Sequence, residues 1–135
     1  MTNAQRPRTP PPTFLSLGGE LLGGSKGRSE ARVVPGPHTA NPAGLVQSGI
    51  LAACLDDVMG LAVFSLGREG FCTTVSMSMS FLGKAEPGCG LLGEATVERA
   101  GRRHVAVEGR IVRERDGAEV ARGSATSLLD RGVEP

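Results

Sequence analysis

The segment that most constrains the fold is an apolar run in the middle of the chain, residues 50–64, which reads ILAACLDDVMGLAVF. Ala, Leu, Met and Cys dominate it and β-branched residues are few, so the segment favours a helix over a strand. Apolar residues fall on every side of that helix, which predicts that it is buried all round rather than amphipathic. It is too short and too charged to cross a membrane.

Two adjacent aspartates, Asp56 and Asp57, interrupt this apolar helix. A buried carboxylate without a partner is costly to keep ionised, so the pair adds no stability to the fold. Adjacent helical residues point about 100° apart, so the two carboxylates face different surroundings. Either the helix is exposed here and both are solvated, or one faces a functional site and the other a subunit surface or a backbone donor.

The loop before the helix, residues 41–49, reads NPAGLVQSG. Gly44 and Gly49 allow the backbone to approach a ligand closely. The helix N-terminus offers unpaired backbone N–H groups and the positive end of the helix dipole, which suit an oxyanion or a polarised carbonyl. Asn41 and Gln47 add amide donors and acceptors. An ordinary helix start has a similar composition, so the loop alone does not decide between the two.

The rest of the chain predicts β-structure around this helix. Residues 13–27 are interrupted by glycines and predict a short helix or an irregular strand, and residues 30–34 predict a short strand. After the helix, strands are predicted over 73–82, 91–100, 104–114 and 119–129. Asp116-Gly117 predicts a hairpin turn between the last two. A helix followed by a run of antiparallel strands is an α+β pattern.

The first of these later strands, residues 73–82, alternates in sequence. The pattern predicts two faces: an apolar one with Val75, Met77, Met79 and Phe81, and a polar one with Thr74, Ser76, Ser78 and Ser80. The methionines are therefore expected to pack in a core or a dimer interface.

Composition excludes several classes of function. Lys and Arg number 15 against 14 Asp and Glu, a net charge of +1, so nothing electrostatic favours nucleic acid or an anionic membrane. Aromatic residues make up 3% of the chain, which leaves few platforms for stacking bases. Three spaced cysteines and two distant histidines indicate neither a disulfide framework nor a zinc site.

The first residues of the chain, 1–12, are polar and Pro-rich and contain no apolar run. They predict a disordered tail rather than a signal peptide. A single domain over 13–135 and a cytoplasmic location are therefore expected.

The segment NPAGLVQSGILAACLDDVMGLAV resembles the central motif of hotdog-fold acyl-CoA thioesterases, specifically the phenylacetyl-CoA and 4-hydroxybenzoyl-CoA thioesterase-like group. That motif has an Asn or Gln, then His-Gly-Gly, then an Asp or Glu. Asn41 takes the first position, Gln47-Ser48-Gly49 the second, and Asp56, nine residues beyond Gln47, the third. TTVSMSMSFL resembles the strand after the helix, with Thr74 at a Ser or Thr position. The resemblance covers roughly residues 30–129.

The resemblance implies a hotdog fold, in which a curved antiparallel β-sheet wraps around one long central helix, here residues 49–66. It also implies hydrolysis of an acyl-CoA or related thioester to a free acid and a thiol, without a metal or a redox cofactor. In such enzymes the site lies between two protomers of a homodimer or a dimer of dimers.

The resemblance also implies a role for each matched residue. Asp56 acts as a general base toward water, or as a nucleophile that forms a mixed anhydride. The Ser48 N–H stabilises the oxyanion. Asn41 and Gln47 orient the carbonyl or the water, and Thr74 assists Asp56 or the water.

Further candidates concern substrate binding. Gly49 and Asp57 lie beside the catalytic positions, and Arg102 and Arg103 precede a strand where they could contact the phosphates of CoA. A solvated turn is the alternative for the two arginines.

One departure from the motif matters: Gln47 and Ser48 replace the usual His and first Gly. Ser48 keeps the backbone N–H, whereas Gln47 cannot titrate near neutral pH. Two other functions therefore stay open. The missing His favours a non-catalytic acyl-CoA-binding or regulatory hotdog module. A hotdog hydratase or dehydratase is disfavoured, because the helix region has no His.

Overall fold

A computed structural model describes residues 11–130 of the chain. Its helices and strands, in chain order, are α1 (Pro12–Ser16), β1 (Gly19–Ser25), β2 (Arg28–Val33), α2 (Ser48–Phe64), β3 (Phe71–Phe81), β4 (Leu91–Ala100), β5 (His104–Arg113) and β6 (Glu119–Asp130). No helix among these residues is long and apolar enough to cross a membrane.

The strands form one antiparallel sheet in the order β1-β2-β4-β5-β6-β3. The long helix α2 packs against this sheet, chiefly on β4, β5 and β2. The predicted hairpin joins β5 to β6, and Gly117 there has a φ of +71°, the left-handed conformation that glycine tolerates. One long helix against one antiparallel sheet confirms the α+β hotdog prediction.

A row of small residues crosses the sheet beneath α2 and lets the helix approach closely. Its members are register partners on neighbouring strands: Ser29, Ala95, Gly109 and Gly123. A Cβ added to Gly109 would lie 3.1 Å from both Leu55 Cδ1 and Met59 Cγ. The large side chains of the helix therefore occupy the space above these small residues.

A buried hydrogen bond holds the middle of α2 to the sheet. The Ser29 hydroxyl donates to the Val58 carbonyl at 2.6 Å, and Ser29 is 2% exposed. A carbonyl oxygen has two lone pairs, so this bond adds to the helical one. It fixes the rotation of the helix at the residues directly after Asp56 and Asp57.

The prediction that α2 is buried all round is wrong. One side of the helix carries its buried residues: Leu51, Cys54, Leu55, Val58, Met59, Leu61, Ala62 and Val63. The opposite side, which we call the open helix face, consists of half-buried or exposed residues: Gly49, Ala53, Asp56, Asp57 and Gly60. Periodicity did not separate the two sides, because Gly and Ala count as apolar yet have little side chain to bury.

The N-terminal part contains more structure than the sequence predicted. Residues 13–27 include both a short helix, α1, and a full strand, β1, which pairs with β2. Phe14 of α1 is completely buried. Of the predicted tail, Pro11 and Pro12 are described and Pro12 begins α1, while residues 1–10 lie outside the described part of the chain. The glycines of β1 obscure its strand character, which comes from pairing with β2.

We predict that Gly109→Ala lowers the free energy of unfolding by about 1–3 kcal/mol, because Leu55 and Met59 must move away from the sheet. The matched control is Gly23→Ala. A Cβ at Gly23 would meet nothing within 4 Å, so its effect should stay within about 0.5 kcal/mol. Urea denaturation measures both. Equal effects of the two substitutions would contradict the close seating of α2.

Candidate active site

Asn41 orders the loop before α2. Its Oδ1 accepts hydrogen bonds from the backbone N–H groups of Ala43 at 2.9 Å and Leu45 at 3.1 Å. Its own N–H donates to the Leu45 carbonyl at 2.7 Å, and Gly44 within the turn has a φ of +80°. The side-chain oxygen is therefore engaged in the loop, whereas the side-chain NH₂ makes no hydrogen bond to residues 11–130 and can donate to a substrate.

The first turn of α2 presents free donors. The Gln47 carbonyl accepts hydrogen bonds from the N–H groups of Ile50 at 2.9 Å and Leu51 at 3.2 Å, and its side chain makes no capping bond. The N–H groups of Ser48 and Gly49 have no acceptor in the described part of the chain, and both residues are exposed. These are the unpaired donors that every helix start leaves. Their role as an oxyanion site stays a prediction.

Neighbouring segments hold this helix start in place. The Gln47 N–H donates to the Thr39 carbonyl at 2.9 Å, and the Val46 N–H donates to the Ala85 carbonyl at 2.8 Å. Thr39 and Val46 are buried. The donors of Ser48 and Gly49 therefore project from a supported backbone rather than from a free loop.

Asp56 and Asp57 are half-buried on the open helix face, and neither makes a hydrogen bond or an ion pair within residues 11–130. Burial raises the pKa of Asp56 above its usual value. Burial and then the charge of Asp56 raise the pKa of Asp57 to about 6. The alternative of two fully solvated carboxylates is wrong, because both are half-buried. The alternative that one of them faces a functional site stays a prediction.

Thr74 lies on the helix-facing side of β3, so the predicted two faces of this strand are wrong at this residue. Thr74 pairs with Ser127, and Met77 pairs with Ala125, both of them buried residues of β6. The register shifts between these pairs, which identifies a β-bulge at Val75. A bulge adds one residue and reverses the alternation. Thr74 therefore shares its face with the methionines.

Thr74 lines a cleft of about 70 Å³ between the end of α2 and the start of β3. Gly60, Phe64 and Cys72 also line it. Gly60 lies one helical turn beyond Asp56 on the same side of α2. The structure thus brings Asp56 and Thr74 to the same surface, which continues from the open helix face into the cleft.

The loop and the carboxylate do not meet within one protomer. Ser48 and Asp56 lie eight positions apart on α2, so their Cα atoms are about 12 Å apart along the helix axis. Groups that act on one carbonyl need to approach it within roughly 3–3.5 Å. A Ser48 N–H and an Asp56 carboxylate from the same protomer therefore do not act on one carbonyl.

Arg102 and Arg103 are exposed in the turn between β4 and β5. The Arg103 carbonyl accepts a hydrogen bond from the Leu129 N–H at 2.6 Å. Arg68, which follows α2, donates to the Gly101 carbonyl in the same turn at 2.5 Å. These three arginines lie at the end of the molecule where α2 finishes, away from the Asn41 loop.

Sequence reasoning missed Arg68 as a lining residue of the cleft. The available signal was its place shortly after the predicted helix, next to Gly67. Among residues 11–130, no group of three or more His, Cys, Asp or Glu is placed to hold a metal ion.

Comparisons with known proteins now add to this geometry. The family model of the thioesterase superfamily matches residues 43–120, more than half of the chain. The chain belongs to the thioesterase superfamily. A comparison with curated protein sequences finds no match.

Solved structures of similar fold agree with this membership. A phenylacetic acid degradation-related protein from Ralstonia eutropha JMP134 is 35% identical, with 93% of this chain and 96% of that chain covered and a TM-score of 0.82. Escherichia coli PaaI, from the phenylacetic acid degradation operon, is 18% identical, with 87% and 83% covered and a TM-score of 0.82. A Streptococcus mutans protein bound to acetyl-CoA is 20% identical, with 83% and 88% covered and a TM-score of 0.77. The last two show a shared fold.

We predict that Asp57→Asn stabilises this thioesterase-superfamily protein at pH 7. The folded pKa of about 6 lies above the ordinary value of 3.8, so the folded state binds the extra proton between these values. The stability gained from that proton is complete below the lower pKa and is lost as the pH rises through 6. Asparagine avoids the loss. The gain at pH 7 should be about 1 kcal/mol, allowing for solvent screening of a half-exposed group.

Thermal unfolding of the wild-type protein and of Asp57→Asn, at pH values from below the lower pKa up to pH 7, measures the gain in stability. The difference should become small near pH 4 and disappear below about pH 3, where Asp57 is protonated in the folded and unfolded chains alike. A stability difference that is the same at pH 4 and pH 7 would contradict the raised pKa.

Proposed function

We propose that this protein hydrolyses an acyl-CoA or related thioester to a free acid and a thiol. One observation carries the proposal: within residues 11–130, the open helix face holds a carboxylate without a hydrogen-bond partner, Asp56, and α2 begins with a Ser48 N–H that has no acceptor. Membership of the thioesterase superfamily supports it. The acetyl-CoA bound to the Streptococcus mutans protein supports a CoA thioester as the substrate.

In the proposed reaction, a water molecule attacks the thioester carbonyl carbon and gives a proton to Asp56. The carbonyl oxygen gains negative charge, which the Ser48 N–H and the positive end of α2 stabilise. The tetrahedral intermediate then expels the thiolate of CoA, which takes up the proton that Asp56 accepted and so restores the carboxylate. The Asn41 NH₂ orients the carbonyl or the water. The Thr74 hydroxyl assists Asp56 or the water from β3.

The carboxylate of Asp56 can also attack the carbonyl carbon itself. The thiolate then leaves, and water hydrolyses the resulting mixed anhydride. Single-turnover hydrolysis in ¹⁸O-labelled water identifies an anhydride route in which water attacks the Asp56 carboxyl carbon, because only that route transfers an unlabelled carboxylate oxygen of Asp56 to the product.

The replacement of the motif His by Gln47 is compatible with this proposal. The Ser48 N–H belongs to the backbone and does not depend on the side chain before it. Gln47 is exposed and makes no capping bond, so its amide can donate to a substrate carbonyl. No titration at this position is required, because Asp56 carries the proton.

We further propose that two protomers share each site. The separation of Ser48 and Asp56 on one helix requires the loop and the carboxylate to come from different chains. The free edge of the sheet suits such a pairing, since β3 exposes apolar side chains: Phe71, Val75, Met77 and Phe81 are 45–56% exposed. A long apolar edge strand is normally covered. A second copy on β3, with its helix antiparallel to α2, would bring its Ser48 toward Asp56.

The antiparallel arrangement also gives a role to the arginines. Arg102 and Arg103 lie at the end of the protomer where α2 finishes, and the Asn41 loop of an antiparallel partner lies at that end. We propose that the two arginines contact the phosphates of CoA, and that Gly49 and Asp57 border the bound thioester. The reaction as written needs no metal or redox cofactor, and a cytoplasmic location stays a prediction.

We predict that Asp56→Asn lowers kcat by at least about 100-fold, the lower range for loss of a general base. Asp57→Asn is the matched variant, and its kcat should fall much less than that of Asp56→Asn. Thiol release from a panel of aryl- and fatty acyl-CoAs measures both. A greater loss in Asp57→Asn would assign the base to Asp57. Binding of CoA thioesters without any thiol release would favour the non-catalytic module.

We also predict that Ser48→Pro lowers kcat by about 100- to 1,000-fold, because it removes the oxyanion donor. Proline suits the first position of a helix, and Gln47 has the extended backbone, ψ of 140°, that precedes proline. The fold should therefore persist.

Mixing Ser48→Pro with Asp56→Asn tests the shared site. Unfolding and refolding the two together yields mixed dimers with one intact site, about a quarter of the wild-type number of sites. Sites built within one protomer would show no recovery. A stable monomer in sedimentation would also overturn the shared site.

A further inference from the structure

The cleft beyond Thr74 contains a positive charge that has no acidic partner among residues 11–130. Arg68 is half-buried and lines the cleft. Its Nη1 donates to the Gly101 carbonyl at 2.5 Å and its Nη2 to the Ala100 carbonyl at 3.4 Å. Among residues 11–130, the salt bridges involve other arginines: Arg32, Arg110, Arg113 and Arg122. The Arg68 guanidinium is thus held by neutral carbonyls and has donors to spare.

The remainder of the cleft combines apolar side chains with the polar residues Thr74 and Ser127. Val63 and Phe64 line it from α2, and Phe71 lines it from β3. A partly apolar cleft with one fixed cation suits a ligand with an apolar body and an anionic end. At about 70 Å³ the cleft has room for only a few methylene groups.

The cleft is connected to the proposed reaction centre through Gly60. A Cβ at Gly60 would meet nothing within 4 Å, so the surface between Asp56 and the cleft is open. An acyl carbonyl placed at Asp56 can direct its chain past Gly60 and Thr74 toward Phe71 and Arg68. The acyl tail would then end at the guanidinium.

We propose that this subsite selects acyl groups that end in a carboxylate, that is, monothioesters of dicarboxylic acids; the inference rests on the thioesterase activity proposed above. The terminal carboxylate pairs with Arg68, while the methylene groups pack against Val63, Phe64 and Phe71. An unsubstituted alkyl end would cover the guanidinium without pairing it, which costs free energy. Arg68 therefore favours an acyl tail that ends in a carboxylate and disfavours one that ends in an unsubstituted alkyl group.

The experiment compares adipyl-CoA with hexanoyl-CoA, which have the same number of carbons and differ in the terminal carboxylate. We expect kcat/KM to be at least about tenfold higher for adipyl-CoA, the effect of one charge-assisted hydrogen bond. Arg68→Gln keeps a donor for the Gly101 carbonyl and removes the charge, and should lower this ratio about tenfold. Arg68→Lys keeps the charge, so its ratio of kcat/KM for adipyl-CoA to that for hexanoyl-CoA should lie between those of the wild-type protein and Arg68→Gln.

Arg28→Gln is the matched control, because Arg28 is an exposed arginine on β2 outside the cleft lining. It should leave the adipyl-to-hexanoyl ratio at the wild-type value. Equal or better turnover of hexanoyl-CoA by the wild-type protein would overturn the carboxylate subsite while leaving the thioesterase proposal intact. The same ratio in Arg68→Gln and wild type would also overturn it.

A binding measurement separates this inference from the activity. Calorimetric titration of Asp56→Asn with the two thioesters should give a Kd at least about tenfold lower for adipyl-CoA. If the wild-type protein releases no thiol from any acyl-CoA, the thioesterase proposal fails, and the two Kd values still decide the tail preference. Equal Kd values overturn it.

Discussion

The structure depends on the close packing of α2 against the sheet. The row from Ser29 to Gly123 has almost no side-chain volume, and Leu55 and Met59 occupy the space above it. The hydrogen bond from Ser29 to the Val58 carbonyl then sets the rotation of the helix. One side of α2 packs against the sheet. The opposite side carries residues that are too small or too polar to form a core.

The open helix face explains why two carboxylates are kept in an apolar helix. Neither Asp56 nor Asp57 gains a partner in the described part of the protomer, and burial raises the pKa of both. Such an arrangement reduces stability near neutral pH, yet it suits a base that must accept a proton from water. The bulge at Val75 turns Thr74 toward the same surface, and Arg68 ends the cleft beyond it.

Much of this could be predicted from the sequence. The strand at 91–100 has the predicted bounds, and the turn at Asp116-Gly117 is confirmed. The helix α2 begins one residue before the predicted start at 49 and ends two residues before the predicted end at 66. These features have local signals: side-chain periodicity and turn residues. The strand β1 and the bulge at Val75 have no such signal, because one depends on pairing with β2 and the other leaves the alternation of residues 73–82 undisturbed.

Local sequence signals are enough to predict the central helix, the position of Asp56 within it, the backbone donors at Ser48, and the family that this spacing resembles. Long-range packing sets which side of the helix is open, which face of β3 carries Thr74, and the place of Arg68 beside the same cleft. The physical reason is that helix propensity and donor spacing act over a few residues of one segment. Side-chain direction depends on the packing of that segment against strands distant in the chain, as Ser29 and Gly109 show for α2.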